Sequence, residues 1–334
     1  RNAHNDVARV HAQVMELLDA GDNYQHGYRA VLSAPSDIPS VAEKHNPVLI
    51  ATYQGDPLLI HLDRLPELPA GWLTGSAENL VALEDLFGDF LKKHPGPSYE
   101  SFAADADRGF VPVETAHFVG EIQWSGNLKA TKLVLHNVGE SIEMIEDSGS
   151  LLIDLPGHGL SGDISDKASL ADWAEVIKAT LSNLGASKIN CVSGDQISGL
   201  LALAIAKTIG AECVCATNAH IPVDGDNWQA AQPDLTPDRY GNYLTRAWQV
   251  VRASQFFWPW FDAKNTNAIE FTNKEIDPEY LAIAHRSLLR ARSREQLTKL
   301  LLSADKAKLV ASAPKISEWH LAAWAKDRTD IWRP

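Results

Sequence analysis

The chain has 334 residues, with 45% hydrophobic and 22% charged side chains, enough apolar material for one large or two ordinary globular domains. Its formal net charge of -13 works against a nucleic-acid or anionic-membrane partner, because nothing offsets phosphate repulsion. The longest apolar runs, such as GLLALAIA at 199–206, fall far short of a membrane span.

Residues 5–34 read as helices, with Val7, Val10, Val14, Leu17 and Leu18 on one face. Val48 to Thr52 reads as a buried strand leading to a turn at Gly55-Asp56-Pro57. Residues 70–93 read as a short strand, a loop and an amphipathic helix, and 94–109, rich in Pro, Gly and small polar residues, as a linker. The pattern then changes. ETAHFVGEIQW alternates like an antiparallel strand, and TKLVLHNVGES and GSLLIDLPGHGLSG each begin as buried strands. A helix over 169–184 closes at Gly185, and KINCVSG, GLLALAIAKTIG and ECVCATNAH read as strand, helix and strand. This alternation predicts a mostly parallel sheet. From His220 to about Ala304 only helices are predicted, the first rich in rings: Trp248, Phe256, Phe257, Trp258, Trp260 and Phe261. The tail, 315–334, reads as helical or irregular. Cys191, Cys213 and Cys215 fall on strand-like positions and read as free thiols of a reducing compartment, with Cys213-x-Cys215 as a metal pair the alternative. No leader or lipidation motif stands out, and a cytoplasmic location is expected.

The stretch CVSGDQISGLLALAIA, 191–206, has the layout of a nucleophile elbow: strand end, tight Gly-flanked turn, apolar helix. LLIDLPGHGLSG resembles the Asp-x-Pro-Gly-His-Gly-x-Ser turn of the α/β-hydrolases, and LVLHNVGES resembles their His-Gly oxyanion loop. The aromatic helical stretch resembles a cap inserted after the sixth strand. The resemblance implies an α/β fold, an α/β-hydrolase-type mostly parallel sheet flanked by helices, with a helical cap. The order is unusual, because residues 46–94 resemble the family's last third: acid strand and turn, last strand, closing helix. The expected division is therefore 1–110 as the C-terminal part of a hydrolase core, 111–220 as its N-terminal part, and 221–334 as cap. Two explanations fit. In a circular permutant, residues 47–52 would lie beside the strand starting near Glu212. In one period of a tandem duplication, Asp6, Leu17-Leu18 and Leu32-Ser33-Ala34 would echo Asp277, Leu288-Leu289 and Leu302-Ser303-Ala304. A homo-oligomer or domain-swapped dimer stays open.

The resemblance puts Gln196 at the nucleophile position, where an amide cannot attack a carbonyl. A shifted register would make Asp195 the nucleophile but set Ile197 where a small residue must allow the turn; Ser193 and Ser198 fit worse. Asp56 falls where the family's acid would be, although Gly-Asp-Pro is also a good turn in its own right. No His lies between Leu62 and Lys93, where the base is expected; His61 reads as a surface or packing residue. Nucleophile and base are thus missing together. What the resemblance leaves is binding apparatus: the backbone N–H of Ile197 and one from Asn137-Val138 as a donor pair, His136 packed beneath that loop, Asp154 and His158 bracing the turn, and Trp258 and Trp260 as an apolar roof. The ligand this implies is a small, mostly apolar molecule with a carbonyl, ester or thioester group. It is bound without metal or cofactor, either by a divergent enzyme or by a non-catalytic binding or scaffolding subunit.

Overall fold

The computed structural model describes residues 6–34, 38–39, 41, 45–96, 107–147, 149–217, 232–257, 260–261, 263–305, 308–309 and 315–320. The chain forms two compact units, residues 17–104 in one, and residues 1–16 with 105–334 in the other.

In the smaller unit, β1 (Val48–Tyr53) runs parallel to β2 (Trp72–Ala77), with Val48 opposite Trp72 and Tyr53 opposite Ala77. A 3-10 turn, Leu59–Arg64, lies on the crossover. α3 (Leu80–Lys93) follows at once. Asn79 caps it, its side-chain oxygen accepting from the Ala82 N–H at 3.0 Å, and Lys92 and Lys93 complement the dipole at its far end. α1 (Val7–Ala20), which belongs to the larger unit as far as Glu16, and α2 (Asp22–Ser33) precede β1 in the chain.

The larger unit is built on a seven-stranded sheet. β3 (Arg108–Thr115) and β4 (Phe118–Gly126) form an antiparallel hairpin, and β4 pairs antiparallel with β6 (Leu151–Ile153). β5 (Lys132–Leu135), β7 (Cys191–Asp195), β8 (Cys213–Thr217) and β9 (Lys315–His320) complete it, and β6, β5, β7, β8 and β9 are mutually parallel. The order across the sheet is β3-β4-β6-β5-β7-β8-β9. Central strands are mostly apolar, with Leu133, Leu135, Leu151, Ile153 and Val192 buried, as strands covered on both faces tend to be. α4 (Leu170–Asn183) starts at a reciprocal Ser169–Asp172 capping box and buries Trp173, Val176, Ile177 and Leu181. α5 (Ser198–Ile209) buries nine consecutive residues, 198–206, because it is enclosed on all sides, and it stops at Gly210 in the left-handed conformation. α6 (Asn242–Ser254), α7 (Pro278–Arg290) and α8 (Arg294–Ser303) account for the long helical stretch. α7 has Asp277 as cap and Pro278 in its first turn.

One expectation is overturned. The strand of residues 48–53 is not paired with β8; it pairs with β2 in a two-stranded sheet. The place beside β8 belongs to β9, from Cys213 opposite Lys315 to Thr217 opposite His320, with a bulge between Val214 and Cys215. The tail therefore starts with a strand where an irregular or helical segment was expected. KISEWH carries Lys315 and Glu318 among its apolar residues, a composition suited to the sheet edge it occupies and poor in strand signal.

The three cysteines are free thiols. Cys191 and Cys213 face each other across β7 and β8. Burial and the neighbouring Cys213 push the Cys191 thiol up to about 12, so it is unreactive at neutral pH. Among the described residues no group of three His, Cys, Asp or Glu side chains could hold a metal ion, and no helix is long and apolar enough to cross a membrane.

Candidate functional site

The sheet itself selects a site. From β5 the chain moves to β6 on one side, then returns to β7 on the other. In open α/β sheets, the crevice beyond the carboxyl ends of two such strands is where ligands bind. Here the loops leaving β5 (His136 to Glu140) and β7 (Asp195 to Ile197) line a cavity of about 590 Å³. Leu135 pairs with Gly194 at the ends of the two strands, so the residues that follow emerge side by side. The cavity's apolar wall comes from the helices, with Val250 and Val251 of α6, Ala284 and Leu288 of α7, and Trp260 and Ile269 between them. Trp260 meets Phe261 edge to face at 5.5 Å.

Gln196 occupies the tip of the β7–α5 turn with φ 48°, the one non-glycine residue in the left-handed region among those described. That conformation costs an L-residue roughly 1–2 kcal/mol. Gly194 makes the turn sterically feasible: a Cβ there would sit 2.6 Å from the Ser198 carbonyl oxygen. Ser198 is consumed by the turn, its hydroxyl donating to the Asp195 carbonyl at 2.6 Å and its side chain fully buried. Ser193 is a buried strand residue. The Gln196 side chain reaches across to the other loop, where Asn137 Nδ2 donates to its Oε1 at 3.0 Å.

The residues of the loop leaving β5 are engaged in a way the sequence did not reveal. The Asn137 backbone N–H donates to Glu140 Oε2 at 3.3 Å, so this half of the expected donor pair already has an acceptor. Glu140 also lines the cavity. Burial, and next the nearby Asp195 carboxylate, push its carboxyl up to about 7. Tyr280 closes the same region, its phenol raised to about 12 by burial and then by Glu140, Glu275 and Asp195. The cavity therefore holds an acidic cluster around an amide. Arg294 is its one lysine or arginine among the described residues, and it is committed to the Pro233 carbonyl at 2.8 Å and to Glu295 at 3.5 Å.

His136 lies under the loop, fully buried. The Leu155 N–H donates to its Nε2 at 2.9 Å, so that nitrogen carries no proton; Nδ1–H then donates to the Asn137 carbonyl at 2.8 Å. Burial holds its pKa down at about 4. The 3.5 Å approach of Asp154 is thus no charge pair, and burial raises Asp154 itself to about 7. Asp154 braces the loops: Oδ1 accepts from the Ile142 N–H at 2.8 Å and Oδ2 from the Leu160 N–H at 3.4 Å. His158 donates from Nδ1 to the Pro156 carbonyl at 3.0 Å and packs edge to face on Trp173. Its pKa is depressed to about 3, by burial and then by His136. Neither histidine is a base in waiting.

Asp56, the expected acid, belongs to the smaller unit and does not line the cavity. It closes its own turn, its carboxylate accepting from the Leu58 N–H at 2.8 Å, a bond that holds its pKa below the usual range. His61 is an exposed residue of the adjacent 3-10 turn. Trp258 and His220 lie outside the described residues. Glu140 is a cavity-lining carboxyl that sequence reading missed. Its signal was available, since a carboxylate three residues beyond Asn137 in a tight Gly-containing loop folds back onto that residue's N–H.

No protein-family model matches the sequence, and no curated protein matches it significantly. Solved structures are similar in part. A complex of the N-acyl homoserine lactonase AidH is 18% identical, covering 63% of this chain and 77% of that one, with a TM-score of 0.41. A carboxylesterase structure from Nitrososphaera gargenis is 14% identical over 63% of this chain and 79% of its own, with a TM-score of 0.43. A putative lipase from Acinetobacter baumannii is 15% identical over 66% and 79%, with a TM-score of 0.39. Similarity at this level carries no chemistry over to this cavity.

Proposed function

We propose that this protein binds a small, mostly apolar carbonyl compound in the cavity beneath α6 and α7, and that it does not perform serine-type hydrolysis. The observation that carries this reading is Gln196 at the left-handed tip of the turn, fixed by Asn137. The residue in the attacking position is an amide with both donor and acceptor capacity and no nucleophilic lone pair to offer. An acyl-transfer site needs a nucleophile and a base in hydrogen-bond reach. Here His136, the histidine lining the cavity among the described residues, is neutral and has both ring nitrogens committed to backbone partners. The Ile197 N–H, with that of Val138, supplies donors for an oxygen of the ligand. The helices serve as a cap whose apolar side chains cover the rest.

A second reading is carried by the carboxyl pair. Burial, and next the Asp195 carboxylate, raise Glu140 to about 7, so that Glu140 can exchange a proton at neutral pH beside a second carboxyl group. In that reading the chain is a divergent enzyme acting on an ester, thioester or ketone without a covalent intermediate.

The two readings separate in one experiment. The wild-type protein is titrated with acetophenone, followed by saturation-transfer NMR, and incubated with p-nitrophenyl butyrate. Saturable binding without ester turnover is expected. Turnover abolished by Asp195→Asn establishes the second reading, and absence of acetophenone binding removes the first.

A further inference from the structure

We propose that Asn137 is a positioning residue that turns the Gln196 amide so that its NH2 group, and not its oxygen, faces the cavity, and that the site therefore selects a neutral hydrogen-bond acceptor, a carbonyl, over an ammonium or a carboxylate. The proposal rests on the binding reading above and specifies its ligand. An amide at the tip of a turn could present either end. The choice is fixed by what holds its other end, and here that is a donor: Asn137 Nδ2, 3.0 Å from Gln196 Oε1. Asn137 is held in turn by Glu140. The carboxylate accepts the Asn137 backbone N–H at 3.3 Å and also faces the Asn137 side-chain amide. With the carboxylate and the Gln196 oxygen both acceptors, the NH2 end of Asn137 lies between them, and its Oδ1 is left buried without a partner. The Asn137 side chain is 8% exposed, so this arrangement does not relax by solvation. A buried oxygen lacking a hydrogen bond is a cost the fold tolerates only where another constraint sets the orientation.

Asn137 thus donates on both sides, to Gln196 Oε1 and to Glu140 Oε2, and Nε2 of Gln196 becomes the donor left for a ligand. The charges agree. Glu140, Asp195 and Glu275 line the cavity against, among the described residues, the already committed Arg294, so a carboxylate ligand meets repulsion. An ammonium would be drawn by the acids but would meet the donor end of Gln196.

The test uses three probes of one shape at pH 8, where Glu140 is ionised: acetophenone, 1-phenylethylamine and benzoate. The wild type is expected to bind acetophenone best. Asn137→Asp places acceptors opposite Gln196, which turns its NH2 inward and its oxygen toward the cavity. Acetophenone affinity should then fall five- to a hundredfold, the worth of one hydrogen bond, and 1-phenylethylamine should gain. Gln196→Glu, which presents only acceptors and leaves Asn137 intact, should give the same reversal and guards against misfolding of the first variant. A merely structural Asn137 would weaken all probes alike. Acetophenone bound equally by wild type and both variants overturns the inference while leaving the pocket reading intact. Wild type that binds none of the three overturns both.

Discussion

The conformation of Gln196 has a measurable consequence for stability. At φ 48° the Cβ of any L-residue crowds its own backbone, and glycine escapes this. Replacing Gln196 by Ala keeps the Cβ and loses the bond from Asn137; replacing it by Gly loses the same bond but relieves the crowding. The two variants therefore differ only in backbone terms. Relief is worth roughly 1–2 kcal/mol, and the extra freedom of Gly in the unfolded chain takes back about 0.4–1 kcal/mol. The Gly variant should be the more stable of the pair by about 0.5–1 kcal/mol. In a unit of this size that is about 1–4 °C in melting temperature. Urea denaturation followed by circular dichroism reads it as a shift in midpoint at constant slope. Lys207, exposed within α5, is the control, because there the order should invert and Ala should exceed Gly by up to about 1 kcal/mol. If Ala matched or surpassed Gly at position 196 while the control behaved normally, the turn would not be the strained elbow described, and the placement of Gln196 at its tip would fail with it.

Glu140→Gln should leave stability nearly unchanged at pH 5 and raise it above the wild type at pH 8. The folded carboxyl is raised from 4.5 to about 7, so the stability it contributes is present below its unfolded pKa and is lost as pH rises through 7, whereas Gln does not titrate; a difference of the order of 1–3 kcal/mol between the two pH values is expected from paired denaturation curves. His136 and His158 act in the opposite sense. Their folded pKa values of about 4 and about 3 make stability fall as pH drops below 6.5, and acid unfolding should set in with proton uptake that calorimetry in buffers of different ionisation enthalpy can count. A fluorophosphonate probe should label no serine, because Ser198 is buried in the turn and Ser193 in the strand; stoichiometric modification of either, read by peptide mass spectrometry, would show a different elbow register. Gly194→Ala should destabilise by about 1–3 kcal/mol, since the new methyl meets backbone of α5 and not a movable side chain.

Much of the larger unit was legible because its signals are local. GLLALAIAKTIG announces an enclosed helix ending at glycine, and the apolar runs before the two loops announce covered parallel strands. The sites of loop residues were legible through one constraint, the glycine-flanked turn that only a tight strand–helix junction needs. What was not legible depends on contacts between distant segments. Nothing near Asn137 in the chain foretells that it will meet Gln196, because that contact requires β5 and β7 to be neighbours in register. The acidic character of the cavity was hidden likewise. Glu140, Asp195, Glu275 and Tyr280 are scattered over more than half of the larger unit, and only the folded sheet and helices gather them. Asp56 shows the converse. A turn motif that satisfies itself locally, Asp56 to the Leu58 N–H, looks the same in sequence whether or not it serves a site.

The pairing of β9 bears on the two accounts of the segment order that the resemblance suggests. A circular permutant must use residues 48–53 to fill the place beside β8, since it has one copy of each element. That place is filled by 315–320. The chain thus holds two candidates for a single position, and they arrive in the same company. α1 and α2 precede β1, and α7 and α8 precede β9, with the whole helix–helix–strand series recurring after about 270 residues. The sequence echo runs at the same spacing, Asp6 with Asp277 and Leu17-Leu18 with Leu288-Leu289. Two generic leucine-bearing helices could match by chance; two helices and a strand, in order and at a constant interval, are harder to obtain that way. Duplication accommodates both observations, because β1 then belongs with β2 and α3 as the later part of one copy, and β9 with β8 as the middle of another. On that account the base and nucleophile positions that the resemblance assigns need not answer to each other. Asp56 and the histidine-free stretch after it would describe one copy's site, and Gln196 the other's. The chemistry of the cavity is then to be read from the larger unit alone, where the amide relay and the carboxyl pair stand without reference to Asp56.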